Sequence, residues 1–329
     1  MSIIIGGPPS SGSSLLSVIL NRHSTVACLQ ETHLLTKESL MANWTNNKKK
    51  ILGGRLHSPG WHQYSKVDLP ELESHNIQDL ISQSGSLAEF TNLYFSNVAI
   101  QENKMIWAEK TPANIYFFHK HTAGFRDAKF ILTIRHPYDI IASLIQRGKS
   151  LIDAVALCLL NIGVGYIQSL TINLHVIKYE SVVTSPKQSV EAMCQELDID
   201  FEQNMIRPND LPTVKMDGWN HYEDGPIKKD SINRFKDLTA ELQERVLDLC
   251  EHVVINPEHL KKYGLIIPAS ILENININHL ILHYDYDKKE KHSSIAIKPK
   301  LVKDRLIRII KSHPSSNPYP ILYFESPTK

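Results

Sequence analysis

Gly6-Gly7-Pro8-Pro9-Ser10-Ser11-Gly12 is a run of turn formers. It stands between a branched apolar stretch, Ser2-Ile3-Ile4-Ile5, and an apolar segment of helical length from Ser13 to Leu20. A strand that feeds a glycine-rich loop opening a helix aims backbone N–H groups and the positive end of a helix dipole at one point, which suits an anion. The spacing Gly7-x4-Gly12 followed by Ser13-Ser14 is that of a nucleotide phosphate loop with one difference. Ser13 takes the place of the lysine that reaches the outer phosphates of ATP or GTP. Such a loop can hold a phosphate but lacks the cation of ordinary triphosphate chemistry. By itself it is also compatible with a strand-to-helix turn that binds nothing.

Other residues have types that fit anion or proton chemistry. Arg135 ends the strand-like run Lys129–Ile134, and Ser143 lies eight residues on, about two turns into the next helical segment. An arginine fork and a hydroxyl so placed can grip one phosphate from two sides. Glu31 lies in the polar cluster Gln30-Glu31-Thr32-His33 after the short strand Thr25–Leu29, where ligands gather in an open α/β sheet. It is a candidate general base, or else a solvated loop carboxylate. Lys110 follows the strand Met105–Ala108 and either faces an anion or is an ordinary surface lysine. Arg234 and Lys236, in the polar run Asp230–Leu238, read alone as surface charges.

These residues need a scaffold. Strand patterns at Ser2–Ile5, Thr25–Leu29, Met105–Ala108, Lys129–Ile134 and His175–Glu180 alternate with helical ones at Ser13–Leu20, Tyr138–Arg147, Ser150–Leu170 and Pro186–Leu197. That alternation predicts a three-layer α/β/α fold with a mostly parallel central sheet. Ser185-Pro186 supplies an N-cap and first-turn proline, and Thr239 caps a helix running to about Val253. Residues 36–104 read as a helical insertion able to cover a site, with Lys48–Lys50 a solvated face. Beyond Gly264 the composition shifts: Asn274–Tyr286 is rich in Asn, Ile and His, and Lys300–Ile310 fits an amphipathic helix. The organisation expected is therefore a main domain over 1–265 and a C-terminal extension over 266–329 whose role the residues leave open.

Composition narrows the classes. The 329 residues are 42% hydrophobic and 22% charged, ordinary for a globular protein, and a formal net charge of +1 argues against general nucleic-acid binding. Cys28, Cys158, Cys194 and Cys250 are scattered with no CxxC pair, so neither a disulfide framework nor a metal site is signalled and a reducing compartment is expected. No run approaches roughly 18 apolar residues, so no membrane span is expected. The first strand begins at Ser2 with no room for a leader, which makes the expected location cytoplasmic.

Taken together, four segments resemble the sulfotransferase superfamily, enzymes that use 3′-phosphoadenosine 5′-phosphosulfate. Gly6–Leu15 is similar to the family's 5′-phosphosulfate loop, and Arg135 with Ser143 to its 3′-phosphate motif. Lys178-Tyr179-Glu180 is similar to the segment that brings a tyrosine to the adenine. Ile232–Lys236 is similar to the later basic motif over the 3′-phosphate. The placing of Glu31-Thr32 after the first helix resembles the branch containing tyrosylprotein sulfotransferases and many bacterial enzymes. The resemblance implies a P-loop α/β fold and sulfuryl transfer to an acceptor hydroxyl or amine, with adenosine 3′,5′-bisphosphate released; the expected cytoplasmic location points to a small-molecule acceptor, and no metal is expected. It implies donor contacts from Pro9, Ser10, Ser11, Gly12, Ser13, Ser14, Arg135, Ser143, Tyr179, Arg234 and Lys236. Glu31 would be the base, with His33 as a second participant.

Two departures matter. Lys110-Thr111 is followed by Pro112 where the steroid and phenol branch has its catalytic histidine. Ser10 stands where family members carry Lys or Arg, so a hydroxyl replaces a charge; Lys110 is the expected substitute. A small-molecule P-loop kinase and a catalytically weak nucleotide-binding protein are the alternative readings. Trp44, Trp61, Tyr64, Trp219 and Tyr222 are available to stack on an acceptor or to pack. Oligomeric state is not encoded in any of these features.

Overall fold

Ile3, Ile4 and Ile5 have no exposed surface, as expected of a parallel strand covered on both faces. The structure is a computed structural model that describes residues 1–29, 31–52, 56, 67, 69, 71–72, 76–206, 214–215, 223–224, 227–271, 273–287 and 322–324. β1 (Ser2–Gly6) leads into α1 (Ser13–Asn21) and β2 (Val26–Leu29). Then come α2 (Glu38–Ala42), α3 (Trp44–Asn47), α4 (Ile77–Gln83), α5 (Leu87–Gln101), β3 (Ile106–Lys110), α6 (Phe118–Gly124) and β4 (Ala128–Ile134). α7 (Pro137–Gln146), α8 (Leu151–Thr171), β5 (His175–Lys178), α9 (Tyr179–Thr184) and α10 (Pro186–Glu196) follow. The remaining elements are β6 (Val214–Lys215), β7 (Glu223–Asp224), α11 (Ala240–His252), β8 (Val253–Ile255), α12 (Ile277–His283) and β9 (Leu322–Phe324). They form two units: Met1–Gly7, Gly12–Thr133 and Asn173–Lys229 in the first; Pro8–Ser11, Ile134–Ile172 and Asp230–Lys329 in the second.

The first unit is built on a five-stranded sheet ordered β2-β3-β1-β4-β5, with β1 parallel to β3 and β4, and β2 parallel to β3. This is the mostly parallel α/β sheet the alternation of elements predicts. The chain leaves β1 toward β2 on one side, returns through β3, and crosses to β4 on the other. The carboxyl end of β1 is therefore the switch point where α/β sheets place ligands. Register sets Ile5 beside Lys110 and Leu29 beside Glu109, so the candidate residues gather at that end.

The insertion over 36–104 is helical where described. A row of ring contacts, Trp44–Phe90–Tyr94–Phe95–Trp107–Phe125, with centroids 5.1–5.9 Å apart, ties it to β3. Trp44 is thus a packing residue: it is buried and its indole N–H donates to the Ser84 carbonyl at 2.7 Å. Trp61, Tyr64, Trp219 and Tyr222 lie outside the described residues, as does the Lys300–Ile310 helix. Of the lysine run, Lys49 and Lys50 are exposed, while Lys48 donates to the Ser82 and Ser84 carbonyls and so joins the insertion's own packing.

In the second unit α7 packs on α8, and α11, α12 and β8 also contact α8. α8 is apolar over a longer stretch than the sequence reading allowed. An 18-residue window of this 21-residue helix has a mean hydropathy of 1.7, enough in length and composition for a membrane span, yet 83% of that window is buried inside the protein. The apolar surface is covered by protein, so α8 is a core helix. β8 and β9 form an antiparallel pair, and Ile255 exchanges two backbone bonds with Ile275. His175–Glu180 is therefore not the last strand. It is also shorter than the sequence suggests. The branched pair Val176-Ile177 keeps the chain extended, but from Tyr179 onward it coils into α9. Thr239 caps α11 through a bond from the Leu242 amide, whereas Ser185 sits at the start of α10 without a side-chain cap bond.

Candidate active site

In the first unit the phosphate-type loop ends at Gly12, which has φ +91° and begins α1 with no side-chain cap and no acidic residue in its first turn. A Cβ at Gly12 would lie 2.4 Å from Cδ2 of Tyr179. Glycine is required there twice over, by a left-handed backbone and by the close tyrosine ring. Tyr179, expected on a strand, occupies this place as the first residue of α9. Gly12→Ala should destabilise the protein by about 2 kcal/mol, from a strained backbone plus a displaced ring. Thermal unfolding measures this directly.

Lys110 ends β3, buried, with Nζ 2.6 Å from Glu31 Oε1 and 3.4 Å from Ser14 Oγ. His33 Nε2 lies 3.8 Å from the other Glu31 oxygen. The structure therefore brings together Glu31, His33, Lys110 and Ser14: a half-buried carboxylate between a lysine and a histidine, beside the first turn of α1. Ser13 is buried in that same turn.

The residue that holds this cluster is one the sequence does not single out. Glu109 is fully buried. It accepts from the Thr32 amide (3.2 Å), Thr32 Oγ1 (2.9 Å), Thr111 Oγ1 (2.6 Å) and Asn114 Nδ2 (2.6 Å). Thr111 Oγ1 in turn accepts from the His33 amide, and Asn114 also donates to the Ile5 carbonyl. One carboxylate thus fastens the loop carrying Glu31 to the end of β3 carrying Lys110 and to the end of β1. Burial pushes its carboxyl above the usual range, against the pull of those hydrogen bonds. The available signal was an acid inside a both-faces-buried strand, followed by Thr111 and Asn114. Glu109→Ala leaves three donor side chains without their acceptor, and a loss of about 2–4 kcal/mol in unfolding free energy is expected.

In the second unit, Pro8–Ser11 turn sharply: the Ser11 amide donates to the Pro8 carbonyl, and Ser10 has φ +67°. Ser10 Oγ is buried without a hydrogen-bond partner among the described residues. Pro9 lies half-buried in the same turn and Ser11 is buried. Arg135, 4% exposed, donates through Nη1 to the Ser10 carbonyl at 3.1 Å and through Nη2 to the Ser231 carbonyl, with Asp139 at 3.9 Å. The direct partner of Ser143 is Arg234, whose Nη1 lies 3.4 Å from Ser143 Oγ while Nη2 donates to Ser231 Oγ at 2.8 Å. Arg234 is therefore a member of this cluster, not a plain surface charge. Lys236, exposed on the same short 3₁₀ turn, points to no partner in the cluster.

Asp139, another residue unmarked in the sequence, fixes that turn. Its two oxygens accept from the amides of Asn233 and Phe235, both at 2.9 Å. Arg135, Ser143, Ser231 and Arg234 thereby form one basic and hydroxyl-rich group, suited to a dianionic ligand.

A profile described as "Sulfotransferase family" matches residues 2–203. Comparison with curated proteins gives no match. Among solved structures, the chain is similar to the sulfotransferase domain of the olefin synthase from Synechococcus PCC 7002. The identity is 19%, with 88% of this chain and 95% of that one covered and a TM-score of 0.52. It is also similar to a sulfotransferase domain from the curacin biosynthetic pathway, at 20% identity, with 87% and 98% covered and a TM-score of 0.46. The first of these likenesses bears on the fold.

Proposed function

Because the chain belongs to the sulfotransferase family, we propose that it moves a sulfuryl group from 3′-phosphoadenosine 5′-phosphosulfate to a hydroxyl or amine of a small-molecule acceptor, releasing adenosine 3′,5′-bisphosphate. The observation that carries this reading is the Glu31–Lys110 pair, 2.6 Å apart beside Ser14. It combines a proton acceptor and a cation at the start of the helix that follows the phosphate-type loop. The donor supplies a sulfuryl group already activated by its bond to phosphate.

The chain's own residues do the rest. Glu31 takes the proton from the attacking acceptor atom, with His33 against its second oxygen. Lys110 offsets the negative charge that grows on the bridging oxygen as the sulfur–oxygen bond to phosphate breaks. Ser10, Ser11, Ser13 and Ser14, together with the backbone of Pro9 and Gly12, hold the 5′ end. Arg135, Ser143 and Arg234 hold the 3′-phosphate, with Lys236 adding charge nearby. Tyr179 offers its ring to the adenine. Three features support the fit of this donor: the left-handed turn at Ser10 and Gly12, the buried Ser10 hydroxyl with no hydrogen-bond partner among the described residues, and two arginines around Ser231. Four free thiols agree with a cytoplasmic setting, where a metabolite is the natural acceptor.

Calorimetric titration of the purified protein with adenosine 3′,5′-bisphosphate, ADP and ATP tests the reading. Micromolar binding of the bisphosphate with much weaker ADP is the expected result. Equal affinities, or tighter ATP, would return the kinase reading to first place. Sulfate transfer from the labelled donor to a panel of hydroxyl and amine acceptors then separates an enzyme from a mere nucleotide binder.

A further inference from the structure

The stretch Asn274–Tyr286 has no assigned role in the chemistry above, yet it touches the elements that carry the arginine cluster. α12 is anchored in the second unit through Ile277, Leu280 and Ile281, all without exposed surface. Three contacts run from it and the residues after it to the start of α7. Tyr138 Oη donates to Asn278 Oδ1 at 3.0 Å. The Tyr286 ring lies 5.1 Å from the His136 ring, centroid to centroid. His136 Nε2 meets the Asp287 carbonyl at 3.0 Å.

His136 also caps α7, its Nδ1 accepting from the Tyr138 amide at 3.3 Å. Nδ1 is therefore the bare nitrogen and Nε2 carries the proton given to Asp287. One imidazole joins the C-terminal segment to the first turn of the helix that bears Asp139 and Ser143, immediately after Arg135. From there the contacts continue: the Tyr138 ring packs on Phe235 at 5.1 Å, and Asp139 holds the Asn233 and Phe235 amides around Arg234.

We propose that the segment Asn276–Asp287 is a positioning element for the phosphate-gripping group Arg135, Ser143 and Arg234, acting through His136 and Tyr138. The proposal rests on the donor reading above. It departs from a purely structural role in one respect. A segment that only adds buried surface affects every nucleotide through overall stability. A segment that sets the α7 start and the 231–235 turn affects the ligand carrying a 3′-phosphate and spares one without it.

The test uses the full chain, with adenosine 3′,5′-bisphosphate and adenosine 5′-monophosphate titrated in parallel and unfolding temperature measured on the same samples. His136→Ala and Tyr286→Leu should each weaken bisphosphate binding about tenfold, the scale of a lost helix cap. Monophosphate affinity should stay within about twofold. His136→Asn, which can still cap α7 through its carbonyl oxygen, should recover much of the loss. Tyr286 is half-exposed, so its replacement gives a readable result even where His136→Ala fails to fold. Parallel losses for both nucleotides, or no loss for either, overturn the proposal. If the unaltered protein itself shows no preference for the bisphosphate, the donor reading fails instead, so the two failures are distinct.

Discussion

Lys110→Ala lowers the turnover number by about 10²–10³-fold, the range seen when one preorganised transition-state contact is removed, and leaves bisphosphate affinity within about threefold. The expectation follows from Ser10. A hydroxyl there can donate one hydrogen bond to the sulfuryl or bridging oxygen but brings no charge, so the cation must come from elsewhere. Lys110 is buried, ends a strand beside β1 and already lies 3.4 Å from Ser14. It also faces Glu31 at 2.6 Å, so its loss strips a partly buried carboxylate of its partner as well. Combining the change with Glu31→Gln separates the two effects. Residues that act as one unit give a double variant little worse than the more damaged single one; independent residues give multiplied losses. An unchanged turnover number for Lys110→Ala removes the lysine from the chemistry.

The parts of this site that could be read from sequence are those whose chemistry is local. Gly7-x4-Gly12 announces a turn because glycine and proline constrain the backbone within a few residues. The branched run Ile3–Ile5 announces a buried strand for the same short-range reason. Arg135 and Ser143 share one strand–helix junction, so their proximity follows from periodicity. Arg234 and Ser143 are 91 positions apart, and nothing local shows that they meet; only resemblance to a family brought Arg234 to the site.

Glu109 was illegible for a different reason. An acid at a strand end normally reads as a solvent-facing residue, since burying a carboxylate is costly. Here the cost is offset by donors from Thr32, Thr111 and Asn114, two of which belong to Glu109's own neighbourhood and one to a loop 77 residues away. Asp139 is the same case: near a helix N-terminus it reads as a dipole partner, while its oxygens in fact serve two amides of a distant turn. Tyr179 shows the reverse limit. Its strand-like setting was misleading, since the residue does its packing against Gly12 from the first turn of a helix.

Arg135→Ala is expected to weaken adenosine 3′,5′-bisphosphate binding by about 10²–10³-fold, in line with the loss of a buried charge-assisted contact, while ADP binding stays within about threefold. The asymmetry is the substance of the prediction. Arg135 is 4% exposed and its fork is spread over the Ser10 and Ser231 carbonyls, with Asp139 close by. A guanidinium held on two backbone carbonyls is oriented before any ligand arrives, and a phosphate that joins it gains a fixed, fully charged donor. Arg135→Lys keeps the charge and loses the planar fork, so it should fall between wild type and alanine. Arg234→Ala removes a less buried arginine from the same group and should cost about tenfold. Arg135 also braces the Ser10 turn, part of the loop that both nucleotides would use through their 5′ phosphates. If that bracing were its whole function, bisphosphate and ADP would weaken together. Equal losses would therefore assign Arg135 to the scaffold and leave the 3′-phosphate to Arg234 and Ser143; a selective loss assigns it to the ligand.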